Sequence, residues 1–146
     1  GFRSSLSVVY FMYYRLHRLY PNCELLMPES GNLPEKIMDL SADDLIIACT
    51  FSRYSKNVID FIEDAKKQNA KVISFTDSYS SPVKTHSDIL LPCLNDSTPF
   101  HNSVLSAIFV AEYLLQEIVI KYSNKVSDRL DKIESILSKK DSFYVK

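Results

Sequence analysis

One stretch near the middle of the sequence, residues 45–57, constrains the fold more than any other. It opens with Leu45–Cys49, a continuous apolar run of strand length, which is typical of a β-strand covered on both faces. Thr50, Ser52 and Ser55 then place three hydroxyls within six residues. Beyond Ser55 the apolar side chains recur at helical spacing, so Ser55 is a good N-cap for an amphipathic helix. The stretch therefore predicts a strand, a hydroxyl-rich turn and a helix in direct succession.

The junction between this strand and this helix has the chemistry of an anion site. Free amides and the positive end of the helix dipole favour a phosphate, and the hydroxyls of Ser52 and Ser55 can donate to its oxygens. The chain contains only two glycines, Gly1 and Gly31, so a glycine-rich phosphate loop is excluded almost everywhere. Any phosphate site must therefore use hydroxyl side chains and helix ends.

Strands and helices alternate along the rest of the chain. The predicted strands are Cys23–Met27, Leu45–Cys49, Lys71–Phe75 and Asp88–Leu91. The predicted helices are residues 5–20, residues 33–40, the helix after Ser55, a short one at Pro82, residues 104–122 and a last one from Val126. This alternation predicts an α/β fold with a mostly parallel sheet and helices on both faces. Ligands of such folds bind beyond the C-terminal ends of the strands, where the hydroxyl-rich turns lie.

Length, composition and charge limit the class of protein. The chain has 146 residues, of which 46% are hydrophobic and 24% charged, and this suits one globular domain. The apolar runs are far shorter than the ~20 residues of a transmembrane helix, and no export signal opens the chain, so we expect a cytoplasmic protein. A net charge of −1 argues against a nucleic-acid surface. The cysteines and histidines show no metal-ligand spacing, so no metal or cofactor is expected.

Two predicted helices, residues 5–20 and 104–122, carry apolar side chains on more faces than one sheet can cover. We therefore expect a homodimer, in which a second copy of the chain covers these apolar faces. The last helix has a narrow apolar seam that suits packing on one partner helix. The seam consists of Val126, Leu130, Ile133 and Leu137.

Short motifs stand in a fixed order along the sequence. They are Gly-Phe-Arg-Ser-Ser at 1–5, Phe-Ser-Arg-Tyr-Ser at 51–55, Val-Ile-Ser-Phe-Thr-Asp-Ser at 72–78, Ser-Pro at 81–82, Asp-Ile-Leu-Leu at 88–91, and 100–103 before the long helix. This ordered set resembles the sugar isomerase (SIS) domain, and more narrowly the effector domain of RpiR/MurR-type bacterial transcriptional regulators. The resemblance covers nearly the whole chain up to the last helix.

The resemblance implies a flavodoxin-like three-layer α/β/α fold with strand order 2-1-3-4-5 and a phosphosugar site between the first and third strands. It implies that the phosphate is held by the serines of two loops, with charge added by two arginines. These residues are Ser4, Ser5, Ser52 and Ser55, with Arg3 and Arg53. The family often has glycine where Arg53 stands. The implied protein is a sugar-phosphate-sensing, dimerising regulator of carbohydrate metabolism that binds DNA through an N-terminal helix-turn-helix domain.

Two parts of that pattern do not occur in the sequence. The central strand that should precede Gly1 is missing, and so is the helix-turn-helix domain. We therefore expect residues 1–146 to be a single, N-terminally truncated SIS domain of a longer protein, with residues 126–146 as its C-terminal helix and tail.

A phosphosugar isomerase is the alternative function. An aldose–ketose isomerase needs a base to move a proton between adjacent carbons and an acid to open the ring. His101, in the loop before the long helix, and Glu112, within that helix, are the pair that the sequence offers. A SIS-like interaction domain with a dead site is a third possibility.

Overall fold

The computed structural model describes residues 1–27, 31–96 and 102–139. Its helices are α1 (Ser4–Leu19), α2 (Leu33–Met38), α3 (Lys56–Lys67), a 3-10 helix (Pro82–His86), α4 (Leu105–Lys121) and α5 (Ser123–Lys139). Its strands are β1 (Leu45–Cys49), β2 (Lys71–Thr76) and β3 (Ile89–Pro92). The predicted α/β alternation is confirmed from β1 onward, with boundaries within a few residues of those expected. No described helix is long and apolar enough to cross a membrane.

The three described strands form a parallel sheet in the order β1-β2-β3. Leu45 pairs with Lys71 and Ile73 with Ile89, which sets the register of both ladders. Parallel neighbours need a crossover connection, and α3 supplies the one between β1 and β2. The arrangement matches the last three strands of the order 2-1-3-4-5.

Helices cover both faces of the sheet, so the fold has three layers. On one face, buried side chains of α1 and α4 pack against Cys49, Phe75 and Cys93. On the other face, Val58 and Ile62 of α3 pack with residues of β1, β2 and the 3-10 helix. β1 and β2 each place buried side chains on both faces, as the continuous apolar character of residues 45–49 predicts for β1.

The last helix, α5, packs against two helices instead of the single partner that its narrow seam suggested. It contacts both α1 and α4. Its Arg129 donates hydrogen bonds to the carbonyl oxygens of Arg18 at 2.8 Å and His17 at 3.2 Å. These carbonyls belong to the last turn of α1, where a guanidinium both satisfies free acceptors and complements the helix dipole.

The predicted strand Cys23–Met27 is wrong, because residues 23–27 are irregular. A strand exists only when a neighbour completes its hydrogen-bonded ladder, and β1 pairs with β2 alone among the described strands. An apolar groove of about 190 Å³ lies at the unpaired edge of β1, lined in part by residues 22–26. Side chains of α1 and α3 line it from the two faces of the sheet, so the groove lies in the plane of the sheet.

Candidate functional site

A polar cleft of about 520 Å³ opens at the C-terminal end of β1. It lies where two helices, α1 and α3, begin. The residues that line it are Phe2, Arg3, Ser4, Ser5, Thr50, Phe51, Ser52, Arg53, Ser55 and Asn102. All six residues that were predicted to hold the phosphosugar therefore meet at one cleft, although they come from opposite ends of a 53-residue stretch of chain.

The first loop of the cleft leads into α1. Arg3 is the N-cap of this helix, and its carbonyl oxygen accepts the Leu6 N–H at 3.1 Å. The Ser5 N–H donates to the Phe2 carbonyl at 3.1 Å, which turns the chain sharply into the helix. Ser4 is exposed and Ser5 is buried. The N–H of Ser4 lies in the first turn, where a helix offers no acceptor of its own.

The second loop, residues 50–55, is closed by bonds from its own backbone. The Ser55 N–H donates to Thr50 Oγ1 at 3.1 Å, and the Ser52 N–H donates to Asp77 Oδ2 at 3.1 Å. Ser55 occupies the N-cap position of α3, as predicted, but its hydroxyl makes no capping bond. Its carbonyl oxygen accepts hydrogen bonds from the N–H groups of Val58 and Ile59, in the first turn of the helix. Ser55 lines the cleft, and its hydroxyl is not used in a capping bond.

Both arginines of the cleft have a positive φ. Arg53 has φ 62°, in the left-handed region, and Arg3 has φ 51° with ψ −127°. For a residue with a Cβ such a backbone costs of the order of 1 kcal/mol or more. A glycine at this position would adopt the same backbone at lower cost. Backbone strain of this kind is common in loops that bind ligands.

The electrostatic character of the cleft is positive. Two guanidinium groups, those of Arg3 and Arg53, line it, and none of its described lining residues is acidic. The N-terminal ends of α1 and α3 add the positive ends of two helix dipoles. Asp77 stands behind the second loop and does not line the cleft.

Glu112, one of the two candidate catalytic residues, does not line the cleft. Its carboxylate accepts two hydrogen bonds from the Arg15 guanidinium, at 3.1 and 3.2 Å, and one from Gln116 at 3.3 Å. The ion pair with Arg15 joins α1 to α4, so the Glu112 carboxylate makes a contact between these two helices. His101, the other candidate, lies outside the described residues.

Four residues of the cleft were not among the predicted site residues. Phe2, Thr50 and Phe51 stand beside predicted site residues, and Thr50 was noted only as a hydroxyl of the turn. Asn102 comes from the segment before α4, far along the chain. A signal was present, because residues 100–103 carried part of the family resemblance. The position of Asn102 at the serine loops required the tertiary fold.

The cysteines do not form a site. Cys49 and Cys93 are buried, and burial raises the pKa of the Cys49 thiol to about 12, which keeps it protonated and unreactive at neutral pH. Within residues 1–27, 31–96 and 102–139, no group of three or more His, Cys, Asp or Glu side chains comes together to hold a metal ion.

The sequence profile of the SIS domain family matches residues 1–116. The chain belongs to the SIS domain family. An uncharacterised HTH-type transcriptional regulator of Clostridium perfringens is 28% identical to this SIS domain over 101 residues, which cover 66% of the chain and 36% of the relative. The chain spans only 36% to 42% of the length of the curated relatives it matches.

Solved structures resemble this SIS domain closely in fold. The sugar isomerase domain of an RpiR transcription factor from Sphaerobacter thermophilus has a TM-score of 0.83 at 22% identity, covering 89% of this chain and 73% of that one. The NanR protein of Vibrio vulnificus, solved with ManNAc-6P, has a TM-score of 0.82 at 21% identity, covering 95% and 53%. The SIS fold that the motifs predicted is confirmed.

Proposed function

We propose that this SIS domain is the ligand-sensing, dimerising part of a transcriptional regulator of carbohydrate metabolism, and that its ligand is a sugar phosphate. One observation carries the proposal. Four serines and two arginines from separate loops, predicted as a phosphate site, line a single cleft at two helix N-termini. The NanR structure contains a sugar phosphate, and the curated relatives are named as HTH-type regulators, which supports the same function here.

The cleft supplies what a phosphate needs. The phosphate lies between the N-terminal ends of α1 and α3, where first-turn amides and helix dipoles face it. Hydroxyls of Ser4, Ser52 and Ser55 donate to its oxygens, and the guanidinium groups balance its charge. A volume of about 520 Å³ leaves room for the sugar, which reaches towards the side-chain amide of Asn102.

A homodimer completes this function. The outer faces of α1 and α4 expose large apolar side chains, including Leu105 and Phe109 at 76% and 75% of their surface. Tyr10, Tyr14 and Tyr113 extend the same kind of surface. A second copy that covers it would lie next to the cleft, because both helices begin there. A sugar phosphate that binds one subunit arrangement better would then shift the dimer, and with it a helix-turn-helix domain elsewhere in a cytoplasmic regulator.

Titration with a panel of sugar phosphates, followed by thermal unfolding and calorimetry, tests this function. We expect a phosphorylated sugar to raise the Tm, and Ser52→Ala or Ser55→Ala each to weaken binding about tenfold, since each removes a hydrogen bond to a charged group. Ser138→Ala, an exposed serine of α5, is the matched control. Inorganic phosphate and unphosphorylated sugars serve as ligand controls. Binding that ignores both cleft substitutions, or that favours unphosphorylated sugars, contradicts the proposal.

The same panel separates a sensor from an isomerase. No described residue that lines the cleft has a carboxylate or imidazole to move a proton. We therefore expect binding without interconversion of aldose and ketose phosphates, measured by NMR of the sugars. Turnover that disappears in His101→Ala would replace the sensor with a phosphosugar isomerase.

A further inference from the structure

The second loop of the cleft is tethered at two points by side chains that follow neighbouring strands. Thr50 comes directly after β1 and Asp77 directly after β2, and parallel strands bring both to the same edge of the sheet. Asp77 Oδ2 accepts the Ser52 N–H, and Thr50 Oγ1 accepts the Ser55 N–H, both at 3.1 Å. Thr50 is 2% exposed, so its hydroxyl has little competition from water.

These two tethers flank the strained residue of the loop. Arg53, with φ 62°, lies between Ser52 and Ser55, and the loop has no glycine to adopt such a backbone at low cost. A left-handed arginine persists only where its surroundings fix the chain on both sides. Removing either tether therefore frees the backbone of Arg53 to relax, and the two serine hydroxyls then move apart.

The Asp77 carboxylate is itself held in place. The hydroxyl of Thr76 donates to Asp77 Oδ1 at 3.3 Å. Burial, and then hydrogen bonding to the nearby Asp77 carboxylate, raise the pKa of the Tyr54 phenol. Asp77 faces the back of the loop and does not line the cleft, so it can fix Ser52 without contacting a ligand.

We propose that Asp77 is a positioning residue that, together with the hydrogen bond from Ser55 to Thr50 of the cleft wall, holds the serine loop in the conformation that binds phosphate. This inference rests on the proposed function for the identity of the ligand, but the loop conformation can be measured without any ligand. It also assigns roles within the loop. The N–H groups of Ser52 and Ser55 are used by the tethers, so these residues meet the phosphate through their hydroxyls.

Hydrogen–deuterium exchange of the ligand-free protein tests the tethers directly. In Asp77→Ala and in Thr50→Val, which keeps the shape of threonine without its acceptor, we expect the amides of Ser52 and Ser55, including the one whose own acceptor is kept, to exchange at least tenfold faster. Amides of β2 should exchange as in the unchanged protein. Asp77→Asn keeps an acceptor oxygen and should restore the slow exchange. Asp60→Ala removes the same charge from an exposed position of α3 and is the matched control.

Affinity for the tightest-binding sugar phosphate of the panel, or for inorganic phosphate, gives the second readout. Asp77→Ala should weaken binding about tenfold, while Asp77→Asn should bind as the unchanged protein does. Exchange of the Ser52 and Ser55 amides that is unchanged in both Asp77→Ala and Thr50→Val overturns the inference, whatever the ligand. Tighter phosphate binding in both Asp77 variants also overturns it, because repulsion by the carboxylate would then outweigh positioning. A faster-exchanging loop in a protein that binds no sugar phosphate leaves the tethers standing and rejects the proposed function.

Discussion

Two depressions border β1, and they differ in chemistry. The cleft at the C-terminal end of the strand, about 520 Å³, is lined by hydroxyls, guanidinium groups and helix N-termini. The groove along the edge of the strand, about 190 Å³, is lined mostly by aliphatic and aromatic side chains from both helix layers. The strand end suits a polar ligand because two helices begin there, and the first N–H groups of a helix have no acceptor within it. The strand edge suits another strand, because its own backbone groups need partners in surroundings that exclude water.

The groove has the place and the apolar lining that a further strand beside β1 would need, and this strand remains a prediction. Edge strands usually carry charges that prevent pairing, whereas Leu45–Cys49 carries none. Gly1 lies at the Cys49 end of β1: a Cβ on Gly1 would stand 3.2 Å from the Cys49 carbonyl oxygen. Polypeptide that runs along the open edge into Gly1 would therefore be parallel to β1.

The largest expected effect concerns the groove. An extension of about five apolar residues added before Gly1 should raise the free energy of unfolding by several kcal/mol and raise the Tm, because a buried apolar strand of that length removes a few hundred Å² from water. Amide exchange of β1 should slow at the same time. An extension of equal length made of glycine and serine is the control. Equal Tm values for both extensions would show that the groove does not take this strand.

The next largest effect concerns whether the cleft and the groove act independently of each other. Ser52→Ala combined with Ser55→Ala should lower sugar-phosphate affinity roughly a hundredfold with little change in Tm, since two hydrogen bonds to charge are lost at an open cleft. Phe61→Ala, at a half-buried position of the groove, should lower stability by about 1–2 kcal/mol and leave affinity unchanged. Calorimetry and thermal unfolding of both proteins measure this. Loss of affinity in Phe61→Ala would mean that the two depressions are coupled.

A smaller effect concerns strain at the cleft. Arg53→Gly should be more stable than Arg53→Ala by about 1 kcal/mol, because both lose the guanidinium but glycine alone adopts φ 62° without a Cβ clash. Both should weaken phosphate binding to a similar extent. Denaturant unfolding of the pair gives the difference. Equal stabilities would indicate that the loop relaxes away from the left-handed conformation.

The smallest expected effect concerns Glu112, which lines neither the cleft nor the groove. Glu112→Gln weakens the ion pair between Arg15 and Glu112. The two side chains are 40% and 33% exposed, and such a pair contributes less than about 1 kcal/mol to stability. Sugar-phosphate affinity should stay unchanged in this variant. A large loss of affinity or of turnover would restore Glu112 as a functional residue.

The sequence alone determined the elements whose signals are local. The apolar run Leu45–Cys49, the hydroxyl-rich turn and the periodicity of α3 are each visible within a few residues, because strand burial and helical amphipathicity repeat at short spacing. The order of the motifs also predicted the fold and the two loops that carry the serines.

Only the tertiary structure decided the contacts that join distant residues. Cys23–Met27 has strand composition, yet residues 23–27 are irregular, since a ladder depends on a neighbour and not on the segment itself. Asp77 holds Ser52 across 25 residues, and Arg15 holds Glu112 across 97. No local pattern encodes which of several acidic side chains meets a given partner, because that choice is made when the packed layers bring them within hydrogen-bond distance.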